Sequence, residues 1–153
     1  MAIPSRVFLD TNVYIVGVAN STSAEWKILQ WLGFESRRSD AAEVVISAVV
    51  IEQILRVAKR LKNKDWAGSV VARIWQNLKL RYVLVNEPGF QPTGSFVWLP
   101  REDVGVYLTA KFGQADCFIS SNHELIRMII AQTGEFECLK PEDFVIRYLE
   151  TGS

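Results

Sequence analysis

Asp10, Glu52, Asp103, Asn122 and Glu124 carry oxygen donors and each stands at the exit of an apolar run or early in the helix after it. Each has an ordinary explanation of its own. Asp10, at the end of Val7-Phe8-Leu9, could form a turn or cap a helix. Glu52 has Arg56 four residues on, and such an exposed pair contributes only about 0.2 to 0.5 kcal/mol to a helix. Asp103, like Glu102, suits the positive end of a helix dipole. Asn122, His123 and Glu124 could each serve a metal, a phosphate or a helix cap. Gathered at one place, the acids would repel one another and would call for a cation. Their hard oxygen ligands favour Mg²⁺ or Mn²⁺, whereas a single His and two separated cysteines, Cys117 and Cys138, do not make a zinc site.

Whether they gather depends on the elements that carry them. Arg6 to Asp10 reads as a short buried strand. Ser21 to Ser23 can cap a helix reaching about Phe34, with Trp26, Leu29 and Leu32 at helical spacing and Gly33 loosening its end. Val44 to Ile46 predicts a second strand. Ser47 can cap the next helix, in which Ile51, Ile54, Leu55, Ala58 and Leu61 trace an apolar stripe. Another helix opens at Asp65 with Trp66, Val70, Ile74 and Leu78 on one face. A third strand follows at Tyr82 to Val85. Pro88, Gly89, Pro92 and Gly94 mark Asn86 to Ser95 as a loop, either covering a site or merely connecting. Pro100 suits a first helical turn, and the helix from Arg101 to Phe112 stops at Gly113. Cys117 to Ser120 is the fourth strand, Glu124 to Ala131 a helix and Phe136 to Leu139 a short fifth strand. Pro141 opens the last helix.

Strand and helix alternate, so the fold class is α/β: a three-layer α/β/α sandwich on a mainly parallel sheet of four to five strands. Ligands bind such sheets at the carboxyl ends of the strands. Asp10, Glu52, Asp103 and Asn122 belong to that edge. Asp116 precedes the fourth strand and belongs to the opposite one.

A chain of 153 residues with 49% apolar content suits one domain with a sizeable core. Lys plus Arg and Asp plus Glu number 17 each, so a polyanion must be attracted by a local patch. The densest cation group is Arg56, Lys59, Arg60, Lys62 and Lys64, either a phosphate-binding face or a solvated helix surface. Two thiols, expected free, suit a reducing cytoplasm. No apolar run nears the roughly 20 residues of a bilayer span, and the start shows no secretory apolar core. There is no phosphate-binding P-loop or Gly-rich dinucleotide turn, and no acidic pair after the first strand to suggest a phosphoryl-accepting regulator.

The segment Val7-Phe8-Leu9-Asp10-Thr11-Asn12-Val13, the helical Glu52, Asp103 leading to Ala110, and Ala115-Asp116-Cys117-Phe118-Ile119-Ser120-Ser121-Asn122 together resemble the PIN-domain family, including the VapC-type toxin ribonucleases. The resemblance covers nearly the whole chain. It implies divalent-metal cleavage of RNA, with Asp10, Glu52 and Asp103 holding Mg²⁺ or Mn²⁺ and Thr11, Asn12 and Ser121 orienting ligands. RNA would have to be gathered by local cations, for which Arg56, Lys59 and Arg60 are candidates, and a toxin of the VapC type would have an antitoxin protein as partner. Many relatives have Asp where this chain has Asn122, and Glu124 is the candidate replacement for the missing charge. The alternative is a PIN-fold module, catalytically weak or inactive, that binds nucleic acid or protein. A homodimer is an assembly that the many Trp side chains and helix surfaces would suit.

Overall fold

The computed structural model describes residues 2–85 and 98–150. Its sheet is built from β1 (Arg6–Leu9), β2 (Glu43–Ser47), β3 (Leu80–Val83), β4 (Cys117–Ile119) and β5 (Glu137–Leu139) in the order β3-β2-β1-β4-β5, every neighbouring pair parallel. The three central strands are apolar in successive residues because both faces are covered: Val7, Phe8, Leu9, Val44, Val45, Ile46, Cys117, Phe118 and Ile119 are fully buried. From β1 the chain steps to β2 and β3 on one side, then returns across β1 to β4 and β5. The strand order therefore reverses at β1 and β4, and the crevice of such a sheet opens at that switch point, beyond the carboxyl ends.

The helices are α1 (Thr11–Ala19), α2 (Ala24–Trp31), α3 (Ala48–Leu61), α4 (Lys64–Asn77), α5 (Arg101–Phe112), α6 (His123–Gln132) and α7 (Pro141–Phe144), the last continued by a π-helical turn at Val145–Glu150. No helix among the described residues is long and apolar enough to cross a membrane. Both cysteines are free.

Several elements differ from expectation for identifiable reasons. α1 was not legible as a helix, because its run is apolar on every side and rich in β-branched residues, and Thr11, Val13, Tyr14, Ile15 and Gly17 are all buried. α2 is capped by Ser23 as expected but ends at Trp31, short of Phe34. α4 begins one residue before Asp65, where the Asn63 side chain accepts from the Trp66 N–H at 2.7 Å. β3 lies two residues earlier than the aromatic run suggested. Pro100 is the residue before α5 rather than in its first turn. The expected loop from Asn86 to Ser95 lies outside the described residues.

The change that matters most is in α3. Its buried positions are Val50, Ile54 and Ala58, while Leu55 is 37% and Leu61 62% exposed, so the apolar stripe is turned from the one predicted. α5 runs the full predicted length and lies on the opposite face of the sheet. Gly113 closes it against β2, where a Cβ would come within 2.2 Å of Val45 Cγ1.

Candidate active site

Asp10 leaves β1 with its N–H still bonded to the Ile119 carbonyl of β4, so the backbone holds it at the switch point. Its side chain then caps α1. Oδ1 accepts from the Thr11 N–H at 2.8 Å and Oδ2 accepts from the Ser120 hydroxyl at 2.7 Å. Ser120 is fully buried, and its own oxygen accepts from the Asn122 N–H at 3.0 Å. The loop after β4 is thus tied through one hydroxyl to the acid after β1. Burial raises the Asp10 pKa above the ordinary carboxylate value, against the opposing effect of the Ser120 and Thr11 hydrogen bonds.

Asp103 reaches the same edge from the other side of the sheet, in the first turn of α5, where its N–H donates to the Pro100 carbonyl. Burial pushes its pKa up to about 6, and the next causes are the negative charges of Asp10 and Glu102. Two like charges have been brought together here. A close approach makes this possible: a Cβ at Gly105 would lie 2.9 Å from Val49 Cγ1, so the glycine lets α5 settle against the start of α3. Below it, Thr109 donates to the Gly105 carbonyl, which leaves Ser47 as the donor in the buried 2.7 Å bond between the Ser47 and Thr109 hydroxyls. Ser47 does not cap α3 with its side chain as predicted; it pins α5 to the end of β2.

Glu52 is not gathered with the two aspartates. Each helical residue advances about 100°, which places Glu52 about 160° from the middle of the Val50, Ile54 and Ala58 stripe, and it is exposed. The half-buried neighbour Gln53 faces the site instead, accepting from the Thr11 hydroxyl at 2.7 Å. Asn122 is the cap of α6, its Oδ1 accepting from the Leu125 N–H, and Glu124 is an exposed first-turn acid 3.7 Å from Arg127. Glu124 is not among the groups that shift the Asp10 or Asp103 pKa. Asn12 is exposed and Ser121 half-buried, while Thr11 is buried. Arg56, Lys59 and Arg60 are exposed. Asp116 lies at the opposite edge, bonded to the Ser5 and Arg6 N–H groups and the Ser5 hydroxyl.

Sequence reasoning missed Ser120 and Gln53 as site residues. A hydroxyl directly after a buried strand was the available signal for Ser120; Gln53 had none, because its exposure depends on the rotation of α3. Among the described residues no group of three or more His, Cys, Asp or Glu side chains could hold a metal. Two carboxylates still suit Mg²⁺, which commonly takes one or two together with waters and substrate phosphates. They do not suit zinc: burial raises both thiol pKa values, that of Cys138 to about 11, and His123 is exposed at the start of α6.

No family model matches the sequence, and no curated protein is similar to it. Among solved structures, a chain of the crystal structure of VapBC2 from Rickettsia felis bound to a DNA fragment from their promoter is similar in fold. Its TM-score is 0.54 at 13% identity, over 88% of this chain and 98% of that chain. The shared feature is the fold, a helix-covered parallel α/β sheet.

Proposed function

We propose that the chain is a divalent-metal-dependent ribonuclease of the PIN type, with Asp10 and Asp103 as the direct ligands of Mg²⁺ or Mn²⁺. The observation behind this reading is the juxtaposition of two carboxylates at the switch point, close enough for the charge of one to raise the pKa of the other. When bound, the ion would polarise a phosphodiester and lower the pKa of an attacking water. The chain's own groups have separate tasks. Thr11 N–H and Ser120 Oγ–H hold the Asp10 carboxylate in one orientation, with lone pairs left for a ligand. Asp103 becomes a ligand as it loses its proton near pH 6. Asn12 and Ser121, at the open side, would orient phosphate or water. Glu52 would act from the periphery, and Asn122 through Ser120.

The toxin role, with a protein antitoxin as partner, is the finer form of this proposal and draws on the VapBC2 likeness in fold. The second reading, a PIN-fold binding module with little or no turnover, is favoured by one feature: Asn122 is neutral and its oxygen already caps α6. The two are separated by following cleavage of a labelled single-stranded RNA in a Mn²⁺ titration, beside the thermal shift caused by Mn²⁺. Cleavage and shift that both disappear in Asp10→Asn support the nuclease. A shift without cleavage supports the module, and neither would reject the metal site.

A further inference from the structure

We propose that α4 and the outer edge of β3 form a single-stranded RNA-binding face, in which Trp75 and Tyr82 stack against bases. The ligand class follows from the nuclease reading, while the site itself rests on charge and exposure. Trp75 and Tyr82 are stacked with ring centroids 5.7 Å apart and an interplanar angle of 29°, yet they remain 50% and 42% exposed. Leu84, just beyond them, is 81% exposed. A ring pair of this kind inside a core would be covered; here it is presented to solvent on an edge strand.

The segment that carries the pair is one-sided in charge. Residues 53–86 hold eight of the 17 basic side chains and one of the 17 acidic ones, Asp65, in a chain with no net charge. None of those eight cations makes a salt bridge to a described carboxylate, whereas six of the nine elsewhere do: Arg6, Lys27, Arg38, Lys111, Arg127 and Arg147. An ordinary solvated surface would mix the signs. On α4, Lys64 and Gly68 share the side that carries Trp75, and nothing stands within 4 Å of where a Gly68 Cβ would be. Lys79, just before β3, and Arg81 alternate with Tyr82 along the strand and so stand on the other face of the same edge. Lys62 and Arg73 lie over the Trp66 and Phe34 rings, and none of the eight has a described carboxylate partner. Cations free of acids, beside flat rings that accept any base, are what binding of a single strand requires. A duplex keeps its bases stacked on one another and cannot use the rings.

The register relates this face to the aspartates. Tyr82 is opposite Ile46, and Phe8 opposite Val45, so Tyr82 is level with Leu9, the residue before Asp10. It is two strand spacings away, about 10 Å. A strand of a few nucleotides stacked on the rings would reach the carboxyl edge.

The test is binding of a labelled single-stranded RNA to the whole protein in EDTA, followed by anisotropy, so that no cleavage is needed. Trp75→Ala or Tyr82→Ala should weaken binding about tenfold, or ~1.4 kcal/mol, with Trp75→Phe close to wild type. Lys79→Gln with Arg81→Gln should lower the salt slope by about 1.4, at ~0.7 per phosphate contact. A duplex of the same sequence should be indifferent to Trp75→Ala. Melting curves establish that each variant folds, and Trp75→Leu, which keeps apolar bulk without the indole, serves if the alanine does not. Wild-type affinity in folded Trp75→Leu and Tyr82→Ala overturns the proposal. So does loss of a dimer in those variants with RNA affinity unchanged, which would assign the face to contact between copies. A protein that fails to cleave yet shows these binding losses would reject the nuclease reading alone.

Discussion

The two edges of the sheet treat an aspartate in opposite ways. At the amino edge Asp116 accepts two backbone N–H groups and a hydroxyl through one oxygen, and beside it Arg6 pairs with Glu43 at 2.9 Å. Acid there meets donors and cations supplied by the chain. At the carboxyl edge Asp10 has two donors, is buried, and faces Asp103, so acid meets acid. One edge neutralises itself and the other is left short of positive charge. The difference separates a carboxylate that fastens the fold from one that awaits a ligand, and the aspartate alone does not tell them apart.

The sharpest way to break this contrast is to remove each acid. Asp10→Asn should lower Mn²⁺-dependent RNA cleavage at least about a hundredfold, since metal stabilisation of a transition state is worth several kcal/mol. Asp116→Ala should leave cleavage within about threefold while lowering the melting temperature, because three donors lose their acceptor. Equal loss of cleavage in both would abolish the distinction between the edges.

Asp103 tests the repulsion directly. Its folded value of about 6 lies above the ordinary 3.8, so its contribution favours folding at low pH and is lost as pH rises through 6. In EDTA at pH 7.5, Asp103→Asn should therefore melt above wild type, by roughly 1 to 3 °C after allowing for solvent screening. At pH 4.5 the advantage should be smaller, and below 3.8 it should be gone. Mn²⁺ should stabilise wild type increasingly between pH 5 and 7 and leave the variant almost unmoved. An advantage independent of pH would show that charge is not its source.

How far these features were readable follows from where their physics resides. The alternation of strands and helices, the edges of Asp10, Asp103 and Asp116 and the full length of α5 followed from apolar runs and caps, which are local signals. The helical state of Thr11 to Ala19 was hidden because its exposed side, Asn12, Val16 and Ala19, is itself mostly apolar, so the run shows no hydrophobic periodicity. Glu52 is on the polar side of α3 as read, but the stripe itself is turned, because Ile51 and Leu55 or Val50 and Ile54 can satisfy one turn until the helix's neighbours are known. Ser47 reads as a cap and becomes a cross-layer bond for the same reason, since Thr109 is 62 residues away.

Ser120→Ala would probe the support beneath Asp10. It removes the donor to Oδ2 and the acceptor of the Asn122 N–H together, so stability should fall by about 1 to 3 kcal/mol, read by chemical denaturation. The Asp10 pKa should rise further, because one of the two bonds that lower it is gone. Apparent Mn²⁺ affinity near neutral pH should weaken with it. Glu52→Gln should do less. An exposed acid off the aspartate pair should change cleavage by tenfold or less, and a loss equal to that of Asp10→Asn would mean that α3 turns toward the site when metal binds.

The smallest effect is expected from Asn122→Asp. In many members of the family that the chain resembles, an Asp stands at this position, and adding the carboxylate would on charge alone strengthen cation binding. Yet the Asn122 oxygen already accepts from the Leu125 N–H at 3.1 Å, and Asp caps a helix as well as Asn does, so the new carboxylate should stay on α6. Its remaining influence is through space, and it works in both directions. It attracts an ion, and it also raises the Asp10 and Asp103 pKa values by adding a third like charge. These offset one another near pH 6, where Asp103 titrates, and separate at higher pH, where Asp103 is ionised in either protein. A Mn²⁺ titration of cleavage should therefore show less than about a threefold gain in affinity at pH 8 and none at pH 6. A gain of tenfold or more at both would place the residue 122 side chain on the metal rather than on the helix.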